Sequence, residues 1–320
     1  MTGPHDREAM LAALTRALPY IRLYKGRLFV IKLCGAMGDD PDALRRLAEQ
    51  AGILREFGIR LIIVHGGGPQ ATRLAERLGI ENRFVRGRRV TSPPMLEALV
   101  MALNGTVNTA VLSACRSAGL AAVGLSGLDA GLLEARARPP VVVGSDEGSS
   151  TVDYGEVGDI HSVDPTVLDR LMAAGFIPVV SPLAADESGR LLNVNADTVA
   201  SRIAVALQAD KLIFLTDTPG LLEDQHDQGS MISYTDLTGL ASMEARGVLD
   251  GGMKPKMSAA QIALSSGVKR VHVVGFEARA GLLAEVFTNE GAGTLIVRDI
   301  SELTPGEQQA DAALRHGAPP

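Results

Sequence analysis

Cysteine is scarce: the 320-residue chain has two, Cys34 and Cys115, and no CxxC pair. That excludes a thiolate metal framework and fits a reducing compartment. Runs of lysine and arginine are missing too. With a formal net charge of −6 and a pI near 5.6, the chain lacks the footprint of a nucleic-acid binder, so an anionic ligand has to be held by local groups. No apolar stretch reaches the roughly 18 residues of a membrane span. The start MTGPHDREAM has no charged segment followed by an apolar one, so the expectation is a cytoplasmic protein without membrane partners. The six histidines are scattered and suggest no metal set. Repeats of fixed period and low-complexity tracts are also absent. What is present is a chain 46% hydrophobic, enough for one large core or two modest ones.

Short β-rich runs at 27–34, 59–65, 119–127, 176–184, 210–217, 268–275 and 293–297 mostly end in Gly, Asp or His. Between them lie helical patterns, PDALRRLAEQAGILREFG, DPTVLDRLMAAG, ADTVASRIAVALQAD and KPKMSAAQIALSSG, opened by Asp, Asn or Pro and closed on Gly or Asp. Continuous apolar strands alternating with helices predict an α/β fold, a mainly parallel sheet covered on both faces. Residues 83–91 and 135–163 break the rhythm with turns and short strands, and predict hairpins that form a lid over the N-terminal half. A helix over 7–26 precedes the first strand, and either packs on its own domain or pairs with another subunit. The division is thus a helix within 1–26, a domain over 27–300 and a flexible tail over 301–320.

The segment LIIVHGGGPQATRLAERLG places three glycines between an apolar strand and a helix opened by Pro69. Free backbone N–H groups and a helix dipole suit an anion there. GGGPQA formally satisfies the dinucleotide pattern GxGxxA. That pattern, however, belongs on a first strand with an acidic residue closing the next, whereas here a strand precedes it and arginines follow. The P-loop form GxxxxGK[ST] is missing. Lys32, near the end of the preceding strand and just before Cys34 and Gly35, would bring an ammonium and a second glycine turn to the same point, a phosphate site. In the C-terminal half, Asp197 ends LLNVNAD and as an isolated motif reads as an N-cap. Lys254 and Lys256 stand at a helix start, where the dipole disfavours them and an anion would relieve them. Phosphoryl transfer needs cations on both sides of the moving group and a carboxylate, so Lys32, Lys256 and Asp197 form a coherent set.

From residue 17 to 297 the succession ALPYIRLYKGRLFVIKLCG, LIIVHGGGPQ, RGRRVT, LNGTVNTAVLSA, AAVGLSGLDAGLLEARA, DYGEVGDI, GFIPVVSPLAADESGRLLNVNAD, KLIFLTDTPGLL, GGMKPKM and EVFTNEGAGTLIV resembles the amino-acid kinases, and among them the acetylglutamate kinase family. The resemblance implies an open αβα sandwich and ATP-dependent phosphorylation, with Mg2+, of the γ-carboxylate of N-acetyl-L-glutamate in arginine biosynthesis. It implies that Lys32 and Lys256 neutralise the transferring phosphoryl group while Asp197 positions both. Backbone N–H groups at Gly35 and Gly67 would hold phosphoryl oxygens, with Gly66 in the same phosphate loop and Gly68 shaping its turn. Gly67, Gly68, Arg89 and Asn193 would meet the acyl amino acid, Arg89 through a guanidinium fork on its α-carboxylate. Thr216, Asp217 and Gly220 would meet the nucleotide in the C-terminal half.

The sequence departs from the family's pattern at four positions. Cys34 stands at the first glycine of KxGG, Lys254 at an apolar position of GGMxPK, Leu128 at a frequent lysine, and Ala280 at the histidine of arginine-inhibited relatives. A positive φ at Cys34 would store strain; an extended backbone would not. The thiol beside Lys32 is expected to have a lowered pKa and to be reactive. The N-terminal helix, GAGT at 291–294 and Glu285 do match arginine-inhibited relatives, so the expectation is a homo-oligomer, dimer or hexamer, with weak arginine feedback. The alternatives are a kinase for another acyl amino acid or carrier-bound aminoadipate, and a weakly active regulatory homologue that binds amino acids.

Overall fold

Branched apolar residues dictate the sheet at the centre of the protein. The computed structural model describes residues 4–145, 148–224, 226–249, 251–288 and 291–303. Its strands β1 (Leu28–Leu33), β2 (Arg60–His65), β3 (Ala122–Ser126), β4 (Ile177–Ser181), β5 (Lys211–Thr216), β6 (Tyr234–Asp236), β7 (Arg270–Gly275) and β8 (Gly293–Val297) form one sheet in the order β6-β8-β7-β5-β1-β2-β4-β3. Neighbours run parallel except β7 and β8, which are antiparallel. All seven runs read as strands are present; β6, only three residues long, was not foreseen.

Successive side chains of a strand point to opposite faces, and here both faces are dry. Phe29, Ile31, Leu33 and Ile63 pack under the helices Pro41–Glu56, Asn108–Ser117 and Gly281–Phe287. Leu28, Val30, Val64 and Phe214 pack under Thr166–Ala173, Ala196–Ala206, Leu237–Ala245 and Met253–Ser265. The result is an αβα sandwich with a mainly parallel sheet, as expected. Lys32, two residues from Val30, inherits the second face and so points at the helix that carries Asp197.

The turn-rich regions fold as anticipated from their composition. Arg83–Val85 pairs with Arg88–Val90, and Val141–Ser145 with Gly148–Val152. Leu133–Ala137, Gly158–Val163, Leu183–Ala185 and Leu191–Asn193 build a separate four-stranded sheet. One continuous helix, Pro93–Ser117, had not been read as such. It is long and apolar enough by composition to cross a membrane, with a mean hydropathy of 1.4. Its Met95, Leu99, Leu103, Val107 and Val111 are nevertheless buried inside the protein. Its middle, Met101–Val107, is π-helical.

The N-terminal helix Pro4–Tyr24 docks through its last turn, where Tyr24 meets Phe29 edge-on at 5.2 Å between ring centroids. Leu11, Leu18 and Leu23 stay exposed. Of the tail expected over 301–320, Leu303 is buried against Leu295 and Val297, and residues 304–320 lie outside the described residues.

Candidate functional site

Ligands of open α/β sheets gather beyond the carboxyl ends of the strands, and here β1, β2 and β5 end side by side. β1 leads into the turn Gly35–Asp39, and β2 into Gly66, Gly67 and the helix Gly68–Arg77. The two loops are locked together. A Cβ on Gly35 would lie 2.7 Å from Pro69 Cδ, and Gln70 Nε2 donates to Gly35 O at 2.8 Å. A Cβ on Gly67 would lie 2.6 Å from Leu103 Cδ2, on the π-helical stretch. Close approach, not an unusual φ, is what demands glycine at these two positions. Gly66 donates its N–H to Leu33 O at 3.2 Å, so it shapes the turn and offers no donor to a phosphate, contrary to its place in the expected phosphate set. The first N–H groups of the helix at Gly68 have no acceptor within their own helix.

Beside these loops three charges are buried. Lys32 Nζ lies 2.7 Å and Lys256 Nζ 3.2 Å from the same oxygen, Asp197 Oδ1. All three residues are about 6% exposed. The N-cap role read for Asp197 belongs instead to Asn195, whose Oδ1 accepts from Thr198 N at 3.0 Å. Asn195 caps the helix, which frees Asp197 for the lysines. Burial pushes the Asp197 carboxyl up, but the two ammoniums outweigh it and hold the group below the usual carboxylate range. Burial and the Lys32 charge pull Lys256 below the usual lysine range. Lys256 Nζ also stands 5.2 Å above the Phe214 ring. Two ammoniums and one carboxylate leave a net positive charge in a low-dielectric pocket, which an anion would stabilise.

Two cavities meet at Lys32. One, of about 450 Å³, is lined by Lys32, Gly35, Gly66, Gly67, Gly68, Arg89 and Asn193. The other, of about 540 Å³, is lined by Lys32, Asp197, Lys256, Thr216, Asp217 and Gly220, with Leu221, Leu249 and Met253 supplying apolar wall. Each residue expected to touch the phosphoryl group, the acyl amino acid or the nucleotide therefore lies on one of the two cavities, and Lys32 lies on both; Lys254, read beside Lys256, lines neither. Sequence reasoning did not find Arg88, Arg138, Tyr154 and Asn195 on the first cavity. The Asn-x-x-Thr spacing at 195–198 is a cap signal that could have identified Asn195; nothing local marks Arg138, which the hairpin region brings in.

Arg89 is not poised as a free fork. Its Nη2 donates to Gly68 O at 3.1 Å and Thr72 Oγ1 at 2.7 Å, its Nη1 donates to Asn82 Oδ1, and its guanidinium lies 4.5 Å from the centre of the Phe84 ring. A carboxylate would have to approach Nε or displace one of these acceptors. Asn193 Nδ2 donates to Thr91 Oγ1 at 3.1 Å, which ties the small sheet to the hairpin carrying Arg89.

Cys34 decides one alternative and corrects one expectation. Its backbone is extended, with φ −66° and ψ 158°, so no strain arises from a side chain there. Its thiol lines the second cavity, but its pKa is raised: burial dominates over the amide of Met37 and the charge of Lys32.

A second buried polar cluster lies apart from the triad. Lys211 Nζ is 2.9 Å from His272 Nε2, His272 Nδ1 is 2.6 Å from Glu285 Oε1, and Glu285 Oε2 accepts from Ala292 N at 2.7 Å and Gly293 N at 3.0 Å. Burial lowers the His272 pKa to about 4.

The sequence model of the amino acid kinase family matches residues 27–275. An acetylglutamate kinase of Myxococcus xanthus is 47% identical over 298 residues, which cover 92% of this chain and 96% of the relative. One of Symbiobacterium thermophilum is 41% identical over 295 residues, covering 92% and 100%. An N-acetylglutamate synthase from Neisseria gonorrhoeae, solved with coenzyme A and N-acetyl-glutamate, superposes with a TM-score of 0.76 at 29% identity, over 90% of this chain and 63% of that longer one. Giardia carbamate kinase shares the fold, with a TM-score of 0.59 at 16% identity. Sequence, fold and the buried lysine pair agree, and the chain belongs to the amino acid kinase family, among the acetylglutamate kinases.

Proposed function

We propose that the protein transfers the γ-phosphoryl group of ATP to the γ-carboxylate of N-acetyl-L-glutamate, forming N-acetyl-L-glutamyl 5-phosphate in arginine biosynthesis. The observation that carries this is Lys32, which lines both cavities and shares one Asp197 oxygen with Lys256. The cavity with Arg88, Arg89, Arg138 and Asn193 suits a small dianion with an amide. The partly apolar cavity around Thr216, Asp217, Gly220 and the start of Met253–Ser265 suits a nucleotide. A carboxylate oxygen attacks the γ-phosphorus in line; an O–P bond forms to the acceptor, the O–P bond to the β-phosphate breaks, and ADP leaves. Lys32 and Lys256 neutralise the charge that spreads over the phosphoryl oxygens, Asp197 holds their ammoniums in place, and the N–H groups of Gly35 and Gly67 cradle the same oxygens. Positioning and electrostatics then supply the rate, without a covalent enzyme intermediate.

Magnesium is commonly held by one or two carboxylates together with the phosphates it accompanies. Asp197 is taken by two lysines, and Asp217 is the other carboxylate on the nucleotide cavity's wall, so Asp217 fits as the group that would hold it. Bound there, the ion would neutralise phosphate charge. Arginine feedback is weak in this reading: Glu285, the acidic residue that would meet a guanidinium, is already taken by His272 and by the amides of Ala292 and Gly293. A homo-oligomer and a cytoplasmic setting complete the proposal.

ADP release measured with N-acetyl-L-glutamate, with other acyl amino acids and with carrier-bound aminoadipate tests it. Turnover is expected to be fastest with N-acetyl-L-glutamate. Preference for another acceptor would move the assignment to a sister kinase, and binding without turnover to a regulatory homologue.

A further inference from the structure

His65 closes β2 directly before the glycine loop, and it is completely buried. Its Nδ1 lies 2.8 Å from Gly66 O, and its Nε2 lies 3.1 Å from Asn108 Nδ2. The Asn108 amide nitrogen also donates to Val179 O at 3.1 Å, which fixes that atom as a donor. Its remaining N–H therefore points at Nε2, which must accept, and the ring proton must sit on Nδ1, where it donates to Gly66 O. Room for Asn108 is itself built in: a Cβ on Gly124 would stand 2.0 Å from Asn108 Oδ1. Burial lowers the His65 pKa to about 4, so the ring is neutral at working pH.

The consequence lies in the next peptide. In a trans peptide unit the C=O and N–H point in opposite directions. With Gly66 O pulled back onto the buried imidazole, the N–H of Gly67 faces away from His65, on the side where Gly66 and Gly67 line the acceptor cavity. We propose that Asn108 and His65 form a positioning relay: Asn108 sets the imidazole tautomer, and His65 aims the Gly67 amide at the transferring phosphoryl oxygen. The step belongs to transition-state stabilisation rather than substrate binding, so it acts on kcat more than on KM. It rests on the phosphoryl-transfer reading given above.

Two measurements test the relay. Nitrogen-15 NMR of the imidazole in the unmodified protein is expected to show the neutral Nδ1–H tautomer of His65. An Nε2–H tautomer or an imidazolium at neutral pH overturns the proposal, and that result would leave the kinase activity itself untouched. In parallel, His65→Ala is expected to lower kcat about tenfold or more, with KM for N-acetyl-L-glutamate and ATP within about twofold of the parent. His65→Asn places an amide nitrogen where Nδ1 stood and is expected to recover most of the lost turnover. Unchanged kcat in His65→Ala, or a folded His65→Asn no faster than His65→Ala, also overturns it. Should the alanine variant fail to fold, the tautomer alone decides. Lack of activity in the unmodified protein would instead remove the phosphoryl-transfer reading, and the tautomer would still be readable.

Discussion

Asp197 accepts both ammoniums on a single oxygen, so its loss would leave Lys32 and Lys256 repelling each other in a buried pocket. Replacing Lys256 or Lys32 by Ala is expected to lower kcat by roughly 100-fold or more, the scale of removing one preorganised donor. Asp197→Asn is expected to do the same and to add a signature in pH. The carboxylate is what keeps the Lys256 pKa from falling further, so its removal lets Lys256 deprotonate at lower pH, and the alkaline limb of the kcat profile moves down. A profile that keeps its alkaline limb in Asp197→Asn would count against this coupling. Lys32 and Lys256 were legible in the sequence because one stands near a strand end and the other at a helix start, each close to glycines, whereas Asp197 by itself read as a cap and joined them only through the need for a carboxylate. The state of Cys34 was not legible, since neither its φ nor its burial follows from its neighbours in sequence. With an extended backbone, glycine there adds freedom to the unfolded chain and removes a partly buried side chain, so Cys34→Gly is expected to cost at least about 0.5–1 kcal/mol of stability in urea melts. Its raised pKa predicts slow alkylation at neutral pH; rapid labelling would contradict the burial that raises it.

Whole elements were read well where one period runs unbroken and poorly where it shifts. The seven longer strands of the sheet are continuous apolar runs, whereas β6 has three residues and no period to see. Pro93–Ser117 contains MALNGTVNT, whose Gly, Asn and Thr residues are weak helix formers. The buried Met95, Leu99, Leu103, Val107, Val111 and Cys115 recur at every fourth residue across the π-helical stretch, a stripe that drifts steadily away from a 3.6-residue period. The same stretch places Leu103 against Gly67 and carries the chain on to Asn108, so what obscured the helix is also what brings it to the site. The helix Ala196–Ala206 offers an element-scale test. Its cap Asn195 accepts from Thr198 N, and the first turn it fixes contains Asp197. Asn195→Ala is expected to lower stability by about 1 kcal/mol and, by loosening that turn, to lower kcat as well. A stability loss with unchanged kinetics would mean that the two lysines alone hold Asp197.

At the scale of the molecule, the N-terminal helix links the fold to assembly. Its last turn is anchored: Tyr24 packs on Phe29 and lies beneath the Lys211 ammonium, 4.9 Å from the ring centre. Lys211 contacts His272, His272 contacts Glu285, and Glu285 holds the amides at 292 and 293, so the helix end is tied to the start of the last strand. Farther out, Leu11 and Leu18 sit two turns apart on one face, 56% and 44% exposed. A helix of this kind is marginal in water without a partner for its apolar side. The sequence left its own domain and another subunit as alternatives; the fold assigns the last turn to the first, and the outer leucines remain open to the second. Light scattering is therefore expected to give a mass that is a multiple of 33.5 kDa for the intact protein. Removal of residues 1–18 spares Tyr24 and its contacts, so it is expected to yield a smaller assembly whose turnover per chain is little changed. A monomeric intact protein, or a truncated one of undiminished assembly size, would rule out the helix as an assembly element, and its exposed leucines would have to be ordinary surface.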